Sequence, residues 1–149
     1  MKRAVMGGNK KTAIDPNTFK ILRERFNDSP YYKHVKMELT GFTDNGCTMK
    51  MKVGKEHANI YGNVHGGAIA SLADSACGLS LIIRLHEGEF AVTQNLIVNY
   101  LKPAPIGVMT ARGWIVHRGK TTAVLEADLF SESGDLVAHA QTTHAIRRR

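Results

Sequence analysis

The chain has 149 residues, 43% of them hydrophobic, 22% charged and 7% aromatic, which is room for one hydrophobic core and not for two. Lys and Arg outnumber Asp and Glu by 20 to 13, a formal charge of +7, yet the cations are scattered and not interleaved with rings as base-stacking platforms require. No apolar run approaches the roughly 18 residues of a membrane span, and Cys47 and Cys77 are isolated from any CxxC, HExxH or Cys/His cluster, so neither a disulfide framework nor a zinc site is suggested.

Residues 1–14 are basic and Gly-containing and lack the apolar segment of a signal peptide. They read as a disordered leader to a cytoplasmic protein whose single domain fills 15–149. Asp15-Pro16 is a helix start, an N-cap followed by proline at the first helical position. Phe19, Leu22 and Phe26 then recur at helical spacing to about Asn27, where Ser29-Pro30 is expected to end the helix. Over 36–53 the chain alternates apolar and polar residues on both sides of Asp44-Asn45-Gly46, a hairpin pattern. A loop carrying Asn59, Gly62 and Asn63 follows.

Residues 66–85 read as one long helix, close to 30 Å at about 1.5 Å per residue. Ile69, Leu72, Ala76, Leu79 and Ile83 form its apolar stripe. The remainder alternates as strands over 90–100, 108–118, 121–131 and 136–146, joined by turns and read as an antiparallel meander. One long helix and five or six long strands imply an α+β domain in which a curved sheet covers the helix.

Between Gly66 and Ile83 Asp74 is the one charged side chain. On a wheel of about 100° per residue it lies about 170° from the centre of the apolar stripe. Its own face carries Ala70, Ser71, Gly78, Leu81 and Leu85, residues that ask for a cover, by a partner subunit or a ligand. A carboxylate on a covered face is either paired by a distant cation or cap, or put to use. His65-Gly66-Gly67 leaves the first amides of the helix unshielded, ready for an oxyanion, or else merely permits a tight entry turn. Gly66 and Asp74 are separated by about 12 Å of helix. A carbonyl held at one therefore cannot touch the other in the same helix, and joint use of both implies a dimer with two shared sites. His34, His57, His86, His117, His139 and His144 show no ligand spacing, and no metal is implied.

Asn59, His65-Gly66-Gly67 and Asp74 at these spacings, opening a long helix before a run of strands, resemble the hotdog-fold thioesterases, the phenylacetic acid degradation type in particular. The likeness spans about 31–146 and continues through Val92-Thr93, Asn99-Tyr100-Leu101 with Pro103, and Gly119-Lys120. It implies an acyl-CoA thioesterase with no separate cofactor, CoA being part of the substrate. By the same resemblance Asp74 is the general base or a nucleophile, and the Gly66 N–H, helped by Asn59, polarises the carbonyl. His65 orders that loop and Thr93 helps to place the water. Gly67, Arg118, Gly119 and Lys120 meet the substrate, the basic pair meeting CoA phosphates, although a solvated hairpin tip is the plain alternative for Arg118 and Lys120. The resemblance also implies a homodimer or a dimer of dimers, with no nucleic-acid or membrane partner. A hotdog hydratase or dehydratase and a non-catalytic acyl-CoA-binding module are the rival functions.

Overall fold

The computed structural model describes residues 14–149, so the leader read over 1–14 lies, apart from Ile14, outside the described residues. The first helix, α1, spans Pro16–Asn27, and the Asp15 carboxylate caps it by accepting from the N–H groups of Asn17 and Thr18. Phe19 stands edge-on to Phe42, and the Asn27 side chain accepts from the Leu39 N–H at 2.7 Å, tying α1 to the sheet. The first helix ends at Asn27, before Ser29-Pro30, as the sequence suggests, but a second one follows that the sequence reading does not include. Pro30 opens this short helix, α2 (Pro30–His34), because a proline that ends one helix is equally suited to the first position of the next.

The hairpin consists of β1 (Met37–Thr43) and β2 (Gly46–Val53). Cys47, Met49, Met51 and Val53 face inward. The long helix α3 covers Gly66–Ile82, three residues short of 85, since Arg84 and Leu85 donate in tight turns to Leu81 and Ile82. Four strands follow: β3 (Glu89–Tyr100), β4 (Gly107–Arg118), β5 (Thr122–Phe130) and β6 (Leu136–Arg148).

All six strands form one antiparallel sheet in the order β1-β2-β4-β5-β6-β3. The meander expected from the sequence holds for β4, β5 and β6. β3 departs from it: the residues after Tyr100 cross the end of the sheet instead of turning back, so β3 pairs with β6 and becomes an edge. The sheet curls around α3, whose buried residues include Ile69, Leu72, Ala76, Leu79 and Leu81. Gly113 allows the closest approach, because a Cβ there would lie 2.6 Å from the Ala76 carbonyl oxygen and 2.8 Å from Ser80 Oγ. Ser80 Oγ donates to that carbonyl at 2.7 Å and accepts from the Cys47 N–H at 3.0 Å, so the polar atoms at the contact are satisfied. Burial pushes both free thiols, Cys47 and Cys77, up to about 12, which leaves them as inert packing groups at neutral pH. Among the described residues, no helix is long and apolar enough to cross a membrane.

An ion cluster locks the start of β3. The Glu89 side chain is 4% exposed, pairs with Arg118 and lies 3.6 Å from Arg148. It also accepts from the His86 N–H at 2.9 Å. That backbone bond, followed by Arg118, holds the Glu89 carboxyl below its ordinary value of 4.5. The unfolded chain therefore binds this proton more tightly than the folded one. The stabilisation is present above pH 4.5 and is lost as pH falls through the lower folded value. We expect Glu89→Gln to lower Tm at neutral pH and to flatten the fall of Tm below about pH 4.5. Thermal melts of both proteins across the acid range check this, and parallel acid curves would contradict it.

Candidate active site

Sequence and fold together build two separate groups of candidate residues on α3. The first surrounds the helix start. His65 is the N-cap, and its imidazole Nδ1 accepts from the Gly67 N–H at 2.8 Å, while its carbonyl accepts from Ala68 and Ile69. The Gly66 N–H has no acceptor among the described residues, so one amide at the positive end of the helix stays open. Asn59 stands beside it in the 58–64 loop. Its Oδ1 accepts from the N–H groups of Tyr61 (2.9 Å) and Asn63 (3.2 Å). That arrangement fixes the amide orientation and leaves Nδ2 as a donor with no partner among the described residues. Asn59, Gly66, Tyr61, Tyr100 and Leu101 line a cavity of about 430 Å³. Two N–H donors on residues that line one cleft could together form an oxyanion hole.

The second group lies two turns along the helix. Asp74 is half-buried, and Thr93 Oγ1 on β3 donates to its Oδ1 at 2.9 Å. Both line a cavity of about 690 Å³ whose walls include Gly78, Leu79, Ile82, Phe26 and Phe90. That volume suits a small organic group. The sequence asks what covers the Asp74 face, and part of the answer is the chain itself. Tyr31 of α2 hydrogen-bonds Ser71 at 2.7 Å, and Tyr32 of α2 bonds Ser75.

His144 is the residue that sequence reasoning passes over. It is buried, is the cross-strand partner of Thr93, lines the same cavity as Asp74 and lies 3.1 Å from Thr142 Oγ1. Burial pushes its imidazole below the ordinary value, and the nearby Asp74 carboxylate opposes that shift. The signal was the inward-facing series Ala138, Ala140, Thr142, His144 and Ile146 on β6, in which a histidine is out of place.

The remaining sequence candidates lie elsewhere. Arg118 is engaged with Glu89, and its Nε is buried without a hydrogen-bond partner. Gly119 closes the β4–β5 turn by donating to the Thr122 carbonyl, and Lys120 is exposed at its tip. None of the three lines either cavity. Within the chain, then, Asn59, His65, Gly66 and Gly67 form one group and Asp74, Thr93 and His144 another.

A curved antiparallel sheet wrapped around one long helix is the hotdog fold, and solved hotdog structures superpose on this chain. A thioesterase from Haemophilus influenzae matches with a TM-score of 0.81 at 22% identity, over 93% of this chain and 94% of its own. A Bacillus halodurans protein solved with CoA matches with a TM-score of 0.75 at 27% identity, over 87% and 83%. Human acyl-coenzyme A thioesterase 13 is 31% identical over 112 residues, 72% of this chain and 78% of that protein. Residues 61–138 match the thioesterase superfamily. The chain belongs to that superfamily and is a thioester hydrolase.

Proposed function

We propose that this protein hydrolyses acyl-CoA thioesters to free acid and CoA, at two sites each shared between the subunits of a homodimer. The observation that carries the reading is the division of the machinery. The open amide of Gly66 and the carboxylate of Asp74 occupy separate cavities about 12 Å apart along α3. A two-fold axis between antiparallel α3 helices would bring the Gly66 half of one subunit to the Asp74 half of the other. β3 supports such pairing, being a 12-residue edge strand with exposed Val92, Ile97 and Tyr100. Long unprotected edges with apolar side chains are normally covered by another strand.

In the assembled site, the thioester carbonyl accepts from the Gly66 N–H and from Asn59 Nδ2. Asp74, oriented by Thr93, takes a proton from water as the water oxygen attacks the carbonyl carbon. Negative charge gathers on the former carbonyl oxygen, where the two donors stabilise it. Collapse of the tetrahedral intermediate breaks the C–S bond, and the departing CoA thiolate recovers the proton. His65 and Gly67 hold the helix start in shape. Lys120 and Gly119 at the turn are assigned to CoA phosphates, with Arg118 joining them only by leaving Glu89. The chemistry needs carboxylate, amide donors and water, so no cofactor is assigned and CoA enters as substrate. The aromatic and aliphatic walls of the Asp74 cavity fit an aromatic or a short to medium-chain acyl group. Two buried free thiols fit a reducing, cytoplasmic compartment.

Thiol release from phenylacetyl-, hydroxybenzoyl- and straight-chain acyl-CoAs tests the reaction. A parallel assay of crotonyl-CoA hydration separates it from a hydratase. Subunit sharing is tested by mixing two inactive variants, Asp74→Asn and Gly66→Pro. In random dimers roughly a quarter of the sites regain both intact halves, so activity should return on mixing. No recovery after verified subunit exchange would show that each site lies within one chain.

A further inference from the structure

We infer that Tyr100 is a positioning residue of the oxyanion hole, fixing the Gly66–Gly67 backbone so that the Gly66 N–H meets the developing oxyanion. This rests on the reading of Gly66 as the carbonyl-polarising donor.

Two consecutive glycines at a helix start give the backbone unusual freedom, whereas an oxyanion donor has to be held within a few tenths of an ångström of its target. Something outside the glycines must supply that rigidity, and two side chains do. On the amide side, His65 Nδ1 accepts from the Gly67 N–H at 2.8 Å. On the carbonyl side, Tyr100 Oη donates to the Gly66 carbonyl at 2.9 Å. The peptide joining Gly66 to Gly67 is thus held at both its polar atoms. The Tyr100 ring also occupies the space that a side chain on Gly66 would need: a Cβ there would come within 3.2 Å of the phenol carbon and oxygen.

Tyr100 is well anchored for this purpose. It ends β3 in register with Ala138 of β6. The connection beyond it is tied to the segment before α3, as the Val64 N–H donates to the Ala104 carbonyl at 2.9 Å, and to β6, as the Leu101 N–H donates to the Val137 carbonyl at 2.9 Å. The ring lines the same cavity as Asn59 and Gly66. Its exposure of 53% indicates that core packing is not its main task. Tyr100 therefore acts through Gly66 and needs no contact with the reacting atoms.

The test is a kinetic double-mutant cycle with Tyr100→Phe, which keeps the ring and removes the hydroxyl, and Gly66→Pro, which removes the amide being positioned. Loss of one neutral hydrogen bond predicts that Tyr100→Phe lowers kcat and kcat/KM together by roughly five- to tenfold with an unchanged Tm. In the Gly66→Pro background the same substitution should cost less than about twofold, because no N–H remains to be aimed. An undiminished loss in that background, or no loss from Tyr100→Phe in wild type, overturns the inference. A rise in KM at constant kcat also overturns it, as that marks a substrate contact. If Gly66→Pro itself retains full activity, the underlying reading of Gly66 has failed instead, and the two failures are distinguishable.

Discussion

Replacing Asp74 with Asn is expected to lower kcat about 10²–10⁴-fold, the usual contribution of a general base, with little change in Tm. The structure gives the reason for both halves of that expectation. Asn keeps an oxygen at Oδ1, so the Thr93 hydroxyl still has its acceptor at 2.9 Å. The side chain is only half-buried, so no enclosed partner is stranded. What disappears is the carboxylate proposed to accept the proton from water. A second readout is independent of turnover. The Asp74 charge favours protonated His144, so Asp74→Asn should move the His144 titration to lower pH in an NMR experiment. Hydrolysis at the wild-type rate would remove Asp74 from the chemistry. After a single turnover in isotope-labelled water, label in the Asp74 carboxylate would identify an acyl-aspartate intermediate opened at the aspartyl carbon, and so a nucleophile in place of a base.

The fold was readable to the extent that its elements are amphipathic. The stripe from Ile69 to Leu79 and the alternation of Met49, Met51 and Val53 each match one buried face, because burial on one side imprints its period on the chain. Position in the sheet leaves no such imprint. β3 has the composition of any strand, and only the crossing after Tyr100 makes it an edge beside β6. α2 was hidden because proline is compatible with both a helix end and a helix start.

The site divided along the same line. Asp74 and Gly66 were legible because a lone carboxylate in an apolar helix and an unshielded helix start each violate a local rule. Tyr100 violates none, and the one local oddity of His144, a histidine in an inward-facing series, does not say what it meets. Their importance comes from long-range pairings, Thr93 opposite His144 and the Tyr100 hydroxyl on the Gly66 carbonyl, which no window of sequence contains. Arg118 shows the converse. Its place beside a basic turn suggests a phosphate ligand, while Glu89, 29 residues earlier in the chain, takes up its charge.

Gly66→Pro is the second substitution from which a large effect is expected, and it isolates a single backbone hydrogen. Proline is favoured at the first position of a helix because that N–H needs no helical partner. His65 already has φ −64° and ψ 137°, the extended conformation that a residue before proline prefers. The helix should therefore form as before, with the Tyr100 ring giving way by a few tenths of an ångström to the new Cβ. Chemically, however, the proposed oxyanion hole loses one of its two donors, which typically costs about 10²–10³-fold in kcat. Gly66→Ala is the control, since it introduces the same Cβ and keeps the N–H. If the amide is the working atom, Ala should retain activity to within roughly tenfold while Pro does not. Equal losses in the two variants would mean that crowding against Tyr100 explains both. The Gly-Gly pair would then serve only to admit the chain to α3, and Asn59 would be left as the single donor to the carbonyl.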